Sequence, residues 1–329
     1  VDAFRYALAQ RQDAEALKSG RRLHALVFAP VEKALGGAER VFISPDGALS
    51  LIPFELLRDP QDGYLVETYT FNYLTASRDL VTFSVQGEHS ARRPLLLGDP
   101  DFDLNPQQRV RALDSVGLHV ERTAESTRSK ELRGMHFKRL PGTRAEVNAI
   151  EELLGKDRCR VYLDHRALEE VLQSRQAPQL IHLATHGFFL KDQEVVAMPG
   201  FVRGGVVLDM DQQFVHPVGP RVSVENPLLR CGLALAGANR AGSVEQGSDG
   251  ILTADEILSL PLRGTELVVL SACETGLGEV KNGEGVYGLR RVFTQAGARS
   301  LVMSMWAVPD RETRELMVEF YRNILIGKL

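Results

Sequence analysis

Cysteine is scarce in this chain: three in 329 residues, at Cys159, Cys231 and Cys273, widely separated and in no C-x-x-C pair. That spacing argues against a disulfide framework and against the Cys/His sets of zinc sites, so no metal ligand is expected and a reducing cytoplasm suits the thiols. Long apolar runs are missing as well. None approaches the ~20 residues a helix needs to cross a bilayer, and the opening residues lack a signal-peptide layout, so a membrane is not an expected partner. Excess positive charge is also absent, with 39 Lys and Arg against 43 Asp and Glu. A direct nucleic-acid partner therefore has no electrostatic footprint. No Gly-x-x-x-x-Gly-Lys-Ser/Thr loop occurs, and Glu279 stands where a Cys-x5-Arg phosphatase loop requires arginine. Nucleotide hydrolysis and thiol phosphatase chemistry thus have no motif behind them, and no cofactor is expected.

What remains is an ordinary globular composition, 44% hydrophobic and 25% charged, long enough for two domains of about 100–200 residues each. From Leu95 onward strand and helix patterns alternate: strands at Leu95–Gly98, Arg160–Leu163, Leu180–Ala184, Glu266–Leu270 and Ser300–Met305, with helices at Arg144–Leu154, Leu168–Ser174, Ala254–Leu258 and Val286–Ala296. Such alternation predicts an α/β fold, a mostly parallel sheet with helices on both faces. Two apolar runs end on reactive side chains, Leu180-Ile181-His182-Leu183-Ala184-Thr185-His186-Gly187 and Leu267-Val268-Val269-Leu270-Ser271-Ala272-Cys273-Glu274. Runs of this kind read as strands buried on both faces, which places His186 and Cys273 just past the carboxyl ends of two parallel strands, where open α/β sheets hold their chemistry. A thiol works as a thiolate, and an imidazole within hydrogen-bond reach can take its proton. Gly187, without a Cβ, leaves room for a carbonyl to approach its backbone N–H. With the N–H of Cys273 it would form an oxyanion hole. Taken singly, Cys273 reads as a small buried hydrophobe and His186 as a satisfied core residue; together, at matching strand ends, they read as a nucleophile and its base. His182 lies inside a strand, facing away from Leu183, and reads as structural.

His-Leu-Ala-Thr-His-Gly-Phe-Phe (182–189) and Leu-Val-Val-Leu-Ser-Ala-Cys-Glu-Thr-Gly-Leu-Gly (267–278) resemble the His and Cys motifs of the CHAT family, caspase-like cysteine peptidase domains found behind tetratricopeptide repeats. Further stretches resemble the same family in the same order: Ile43 to Leu49 with Ile52-Pro53-Phe54-Glu55, Leu97-Gly98-Asp99-Pro100, Leu140 to Glu146, Asp249 to Ala254, and Gly283 through Asp310. The resemblance implies a caspase-like fold, with Cys273 as nucleophile, His186 as base and a covalent thioester intermediate in peptide cleavage. A more distant likeness to separase implies an amino-terminal pseudo-peptidase half, residues 1–93, packed on a catalytic half, residues 94–329. The absence of any cysteine before Cys159 agrees with a silent first half. Ser271 stands where several caspase-like peptidases carry Asp, so an acid from that position is missing.

Asp249, Glu284 and Asp310 lie in glycine-rich or loop segments beside these strands and are candidates for a negative wall that binds substrate. Trp306-Ala307-Val308-Pro309-Asp310 resembles the segment by which separase presents an acid to a basic P1 side chain, while Asp310 equally suits the cap of the helical run that follows. Trp306 is either a flat apolar wall or core. Glu274 would oppose thiolate formation if it faced inward, so it is expected to point away or to pair with a cation.

The amino-terminal half reads as helices from Ala3 to Lys18 and Leu23 to Leu35, strands at Arg40–Ile43 and Tyr69–Tyr73, and a hairpin turn at Asp46-Gly47. The polar, arginine-rich tract from Asp103 to Lys130 reads as a mobile loop. Val1 is not a methionine, and the pattern stops at Leu329, where family members continue from a similar Gly-Lys into another helix and a closing strand; sequence is expected to be missing on both flanks. The resemblance thus implies a cytoplasmic cysteine endopeptidase that acts on a protein substrate. Upstream repeats or an activating partner would regulate it, in settings that include bacterial defence. The alternative is a catalytically silent regulatory or protein-binding module.

Overall fold

The apolar runs read as doubly buried strands do form one parallel sheet. The computed structural model describes residues 1–74, 76–77, 79–80, 90–118, 132, 135–173, 177–190, 225–243, 248–271, 273–274, 284–304 and 310–327; at 242–243, 273–274, 284–287 and 310 it describes the backbone alone. In chain order the first elements are α1 (Asp2–Ala9), α2 (Asp13–Leu23), α3 (Ala29–Glu32), β1 (Arg40–Ile43) and β2 (Thr70–Tyr73). There follow β3 (Leu95–Pro100), α4 (Pro106–Ser115), α5 (Pro141–Leu154), β4 (Arg160–Asp164), α6 (Glu169–Gln173), β5 (Leu180–Ala184), β6 (His186–Phe189), β7 (Cys231–Ala234) and β8 (Ile251–Thr253). The last are α7 (Ala254–Leu258), β9 (Leu267–Leu270), β10 (Cys273–Glu274), α8 (Glu284–Ala296), β11 (Ser300–Met303) and α9 (Asp310–Leu325). Gly204-Gly205-Val206-Val207-Leu208, which resembles a further strand, lies outside the described residues.

The central sheet has the order β11-β9-β5-β3-β4, all neighbours parallel. Because side chains alternate along a strand, each strand serves both faces. Leu95, Leu97, Ile181, Leu183, Val268 and Leu270 face one core with α4, α6, α7 and α8, through side chains such as Leu113, Val171, Ile257, Leu289 and Phe293. Leu96, Ala184 and Val269 face the other, with Val147 and Ile150 of α5 and Met317 and Tyr321 of α9. The α/β class with helices on both faces is the one the alternation predicts. Gly297, at φ 112°, ends α8 as a left-handed stop.

On the α5 and α9 face the sheet carries a buried polar group. His182 Nδ1 lies 3.1 Å from the Tyr321 hydroxyl, and His182 Nε2 lies 3.0 Å from Glu146 Oε1. Burial, and secondarily the Glu146 carboxylate, push the Tyr321 phenol up, so its hydroxyl keeps its proton. His182 is thus committed to the interior, as its place within a strand predicts.

Residues 1–73 form a separate apolar cluster around Phe4, Phe28, Ile52, Phe54, Leu57 and Leu65, with β1 and β2 paired in parallel. Here the structure departs from the sequence pattern. The predicted helix from Ala3 to Lys18 breaks at Arg11, whose φ of 54° reverses the chain between α1 and α2. The predicted hairpin at Asp46-Gly47 is instead a 3₁₀ turn over Gly47–Leu51: Gly47 has the expected positive φ, but the Asp46 carboxylate accepts from the Gly47 N–H and winds the chain into a turn that buries Leu51. The tract from Asp103 to Lys130 is not uniformly loop either. Pro106–Ser115 is helix, capped where Asn105 Oδ1 accepts from the Gln108 N–H and Gln108 Oε1 from the Asn105 N–H. This Asn-Pro-x-Gln signal was legible in the sequence. Arg109 then pairs with Glu170 on two hydrogen bonds of 2.8 Å.

Candidate active site

The chain runs from β3 outward to β4 and then returns to the other side of β3 as β5, so the strand order reverses between β3 and β5. The crevice beyond the carboxyl ends at such a reversal is where open α/β sheets bind ligands. β5 bends there out of the central sheet, and β9 ends beside it. β5 passes through the buried Thr185, whose hydroxyl donates to the Ala234 carbonyl, and becomes β6. β9 is followed by β10. The two stay parallel neighbours across the bend in unchanged register: Leu183 opposite Leu270, then His186 opposite Cys273 and Gly187 opposite Glu274. Adjacent strands lie about 4.8 Å apart, so this register sets the backbones of His186 and Cys273 side by side. β7 and β8 complete the second sheet in antiparallel fashion on the other edge of β6.

The His186 ring is enclosed. It is 5% exposed and packs against Phe102, at a centroid distance of 5.3 Å, and Phe137, at 5.7 Å, two rings that also touch each other. Its Nε2 donates to the Lys138 carbonyl at 2.7 Å. A carbonyl only accepts, so the proton of the neutral ring sits on Nε2, and Nδ1 is the nitrogen whose lone pair can take a proton. Sequence reasoning missed this support, because any residue carries a backbone carbonyl and nothing in the identity of Lys138 marks it.

The remaining expected site residues are less gathered. Asp249 is 3% exposed and its Oδ1 accepts from the Ile251 N–H at 2.9 Å. It stands in a buried turn beside Glu169 rather than on an open wall. Glu169 has no exposed surface; the Gly250 N–H and the Gln173 amide donate to its two oxygens at 3.2 and 2.7 Å. Burial first, then the charges of Glu256, Asp249 and Glu170, hold the Glu169 carboxyl well above the usual range. The folded state therefore keeps a proton that the unfolded chain releases near pH 4.3, and stability contributed by the neutral acid is lost as pH rises from there toward the folded value. Glu169→Gln is expected to remove this falling component. The difference in unfolding free energy between variant and native chain should grow in the variant's favour with pH in a series of urea titrations.

Glu284 is the first residue of α8 and Asp310 the first of α9. Their side chains, that of Glu274, and Trp306 lie outside the described residues. Gly187 lies centrally in the second sheet, opposite Leu233 as well as Glu274. Among the described residues no group of three His, Cys, Asp or Glu is arranged to hold a metal ion, and no helix is long and apolar enough to cross a membrane.

A reversed-order parallel sheet that delivers a histidine and a cysteine into register on adjoining strands defines a caspase-like α/β domain. The chain belongs to the CHAT domain family, whose pattern it matches over residues 17–328. It is similar to tetratricopeptide repeat protein 28 of Mus musculus, 26% identical over 336 residues, and of Homo sapiens, 25% identical over 330 residues. Each match covers 98% of this chain but 12% of the relative, so the chain spans about an eighth of the length of these proteins.

Proposed function

We propose that this CHAT domain is a cysteine endopeptidase acting on a protein substrate, with Cys273 as nucleophile and His186 as its base. The observation that carries the reading is the direct register of Cys273 with His186, together with the Lys138 carbonyl at His186 Nε2, which leaves Nδ1 to take the proton. In this mechanism His186 Nδ1 accepts the thiol proton and the Cys273 sulfur attacks the scissile carbonyl. The oxyanion is met by the N–H groups of Gly187 and Cys273, and His186 returns the proton to the leaving amine. The thioester that remains is hydrolysed by water with His186 again as base. Asp310, Glu284 and Trp306 stand as candidate substrate contacts, Asp310 for a basic P1 side chain; Asp249 joins them only if its turn opens. Residues 1–93 would serve as a silent scaffold half. Regulation by a repeat segment or activating partner, a cytoplasmic setting and a role in bacterial defence belong to the same proposal.

The enclosure of His186 favours a second reading, a silent regulatory or protein-binding module. A cysteine-directed electrophilic probe separates the two. The enzyme reading expects labelling at Cys273 that is lost in His186→Ala, and an unbiased peptide-library digest that yields defined cleavage sites. Absence of labelling and cleavage, with and without candidate activating partners, would establish the module.

A further inference from the structure

The Lys138 carbonyl that holds His186 belongs to a short connecting segment before α5, and such a segment keeps its place only through its own bonds. Those bonds flank Lys138 on both sides. The Phe137 N–H donates to Asn239 Oδ1 at 2.8 Å, and Asn239 Nδ2 donates back to the Phe137 carbonyl at 3.0 Å, so one side-chain amide pairs both backbone groups of Phe137 as a neighbouring strand would. Asn239 is itself tied down: its N–H donates to the Phe102 carbonyl at 2.9 Å and its Nδ2 to Asp103 Oδ1 at 3.1 Å.

On the other side Arg139 grips the end of β3. Its Nε and one terminal nitrogen donate to the two Asp99 carboxylate oxygens, both at 2.9 Å, and its other terminal nitrogen lies 2.8 Å from Asp164 Oδ1. Asp99 is buried, receives Arg144 at 2.8 Å as well, and is held at a positive φ of 44° at the strand end. A residue kept in that region by surrounding bonds marks a place where the fold tolerates strain. The Leu140 carbonyl accepts from the Thr143 hydroxyl, which in turn accepts from the Asp99 N–H. Thus the residue before Lys138 and the residue after it are both pinned, one to the turn after β7 and the other to the strand beside the reversal.

We propose that Asn239 and the Asp99–Arg139 pair are positioning residues for His186: they hold residues 137–140 so that the Lys138 carbonyl selects the Nε2-protonated tautomer. A freed segment would let that carbonyl drift, and the imidazole would then divide its proton between the two nitrogens. The catalytic meaning of this arrangement rests on the peptidase reading; the tautomer does not, so it can be measured in a chain that cleaves nothing.

The experiment is nitrogen-15 correlation spectroscopy of the histidine rings in the full chain, in a Cys273→Ala background that removes the thiol as a competing partner. His186 should show one tautomer, protonated at Nε2. Asn239→Ala is expected to convert it to an averaged mixture, while the signals of His182, buried between Glu146 and Tyr321 on the other face of the sheet, stay unchanged. With Cys273 restored, the rate of iodoacetamide alkylation at that residue should fall about tenfold, the scale on which outer supports act on a site. An unchanged single tautomer in folded Asn239→Ala overturns the proposal, as does an equal disturbance of His182, which would mark a general loosening. If Asn239→Ala does not fold, Arg139→Lys, which keeps the cation and gives up the two-point grip, decides on the same criterion. A failure of the peptidase reading would appear separately, as normal tautomer behaviour without cleavage.

Discussion

Cys273→Ala is expected to lower kcat/KM on a cleaved protein substrate by about 10⁵ or more while leaving thermal unfolding unchanged. The scale follows from serine and cysteine nucleophiles that act as one unit with their base: removal of the attacking atom leaves only binding and oxyanion stabilisation. His186→Ala is expected to cost at least the 10²–10⁴ typical of a lost general base. In the double variant the effects should not add, because a base with no thiol to activate contributes nothing; its rate should match that of Cys273→Ala alone. Stopped-time digestion followed by mass spectrometry measures all three variants, with calorimetry as the control for folding. Equal cleavage by Cys273→Ala and the native chain would remove the catalytic assignment. Additive losses would show that the two side chains act independently, despite the register that sets His186 opposite Cys273.

Gly232→Ala is expected to destabilise the fold by about 3 kcal/mol, the upper end of what overpacking costs. Gly232 sits at the middle of the second sheet, opposite Phe188 on one side and Thr253 on the other. A methyl group there would collide with the Leu252 carbonyl and meet the Phe188 ring at 2.8 Å. Neither can give easily. Leu252 is strand backbone, and the buried Phe188 ring packs on Phe137, which in turn packs on His186. The substitution should therefore lower the unfolding midpoint by several degrees and also disturb the histidine. Gly288→Ala is the matched control. Among the described residues its methyl would meet only the Cys231 sulfur, at 3.4 Å, within a helix where alanine is the better former, so a neutral or slightly stabilising effect is expected. Equal melting of both variants would show that the crowding at Gly232 relaxes.

Much of this architecture could be read before any coordinates. β5 and β9 were legible because strands buried on both faces must be apolar throughout, and the helix expected over Ala254–Leu258 forms with Thr253 and Glu256 as a capping box at its start. Glycine at 297 stops α8 where expected. The errors have physical causes too. At Asp46-Gly47 the side chain of Asp46 competed for the turn's N–H and won, so a glycine with the right φ served a different turn. At Asn105–Gln108 the cap was present in the sequence but outweighed by the polarity of the tract around it. Asp249 fell in a glycine-rich stretch that reads as open loop, yet the same glycine that permits a turn, Gly250 at φ 86°, folds it against Ala236 and Ala238 and into the interior.

Residue order alone determined which side chains could do chemistry, since the apolar runs before His186 and Cys273 dictate buried strands and therefore where those strands end. Only the tertiary structure decided that the two segments stay paired in one register beyond the central sheet and that the Lys138 carbonyl meets the imidazole. The physical reason is that a hydrophobic period is a local property of one segment. Strand order, register across a bend, and the backbone groups that meet a side chain are settled by packing between segments far apart in the chain, and a backbone carbonyl leaves no mark in the sequence at all.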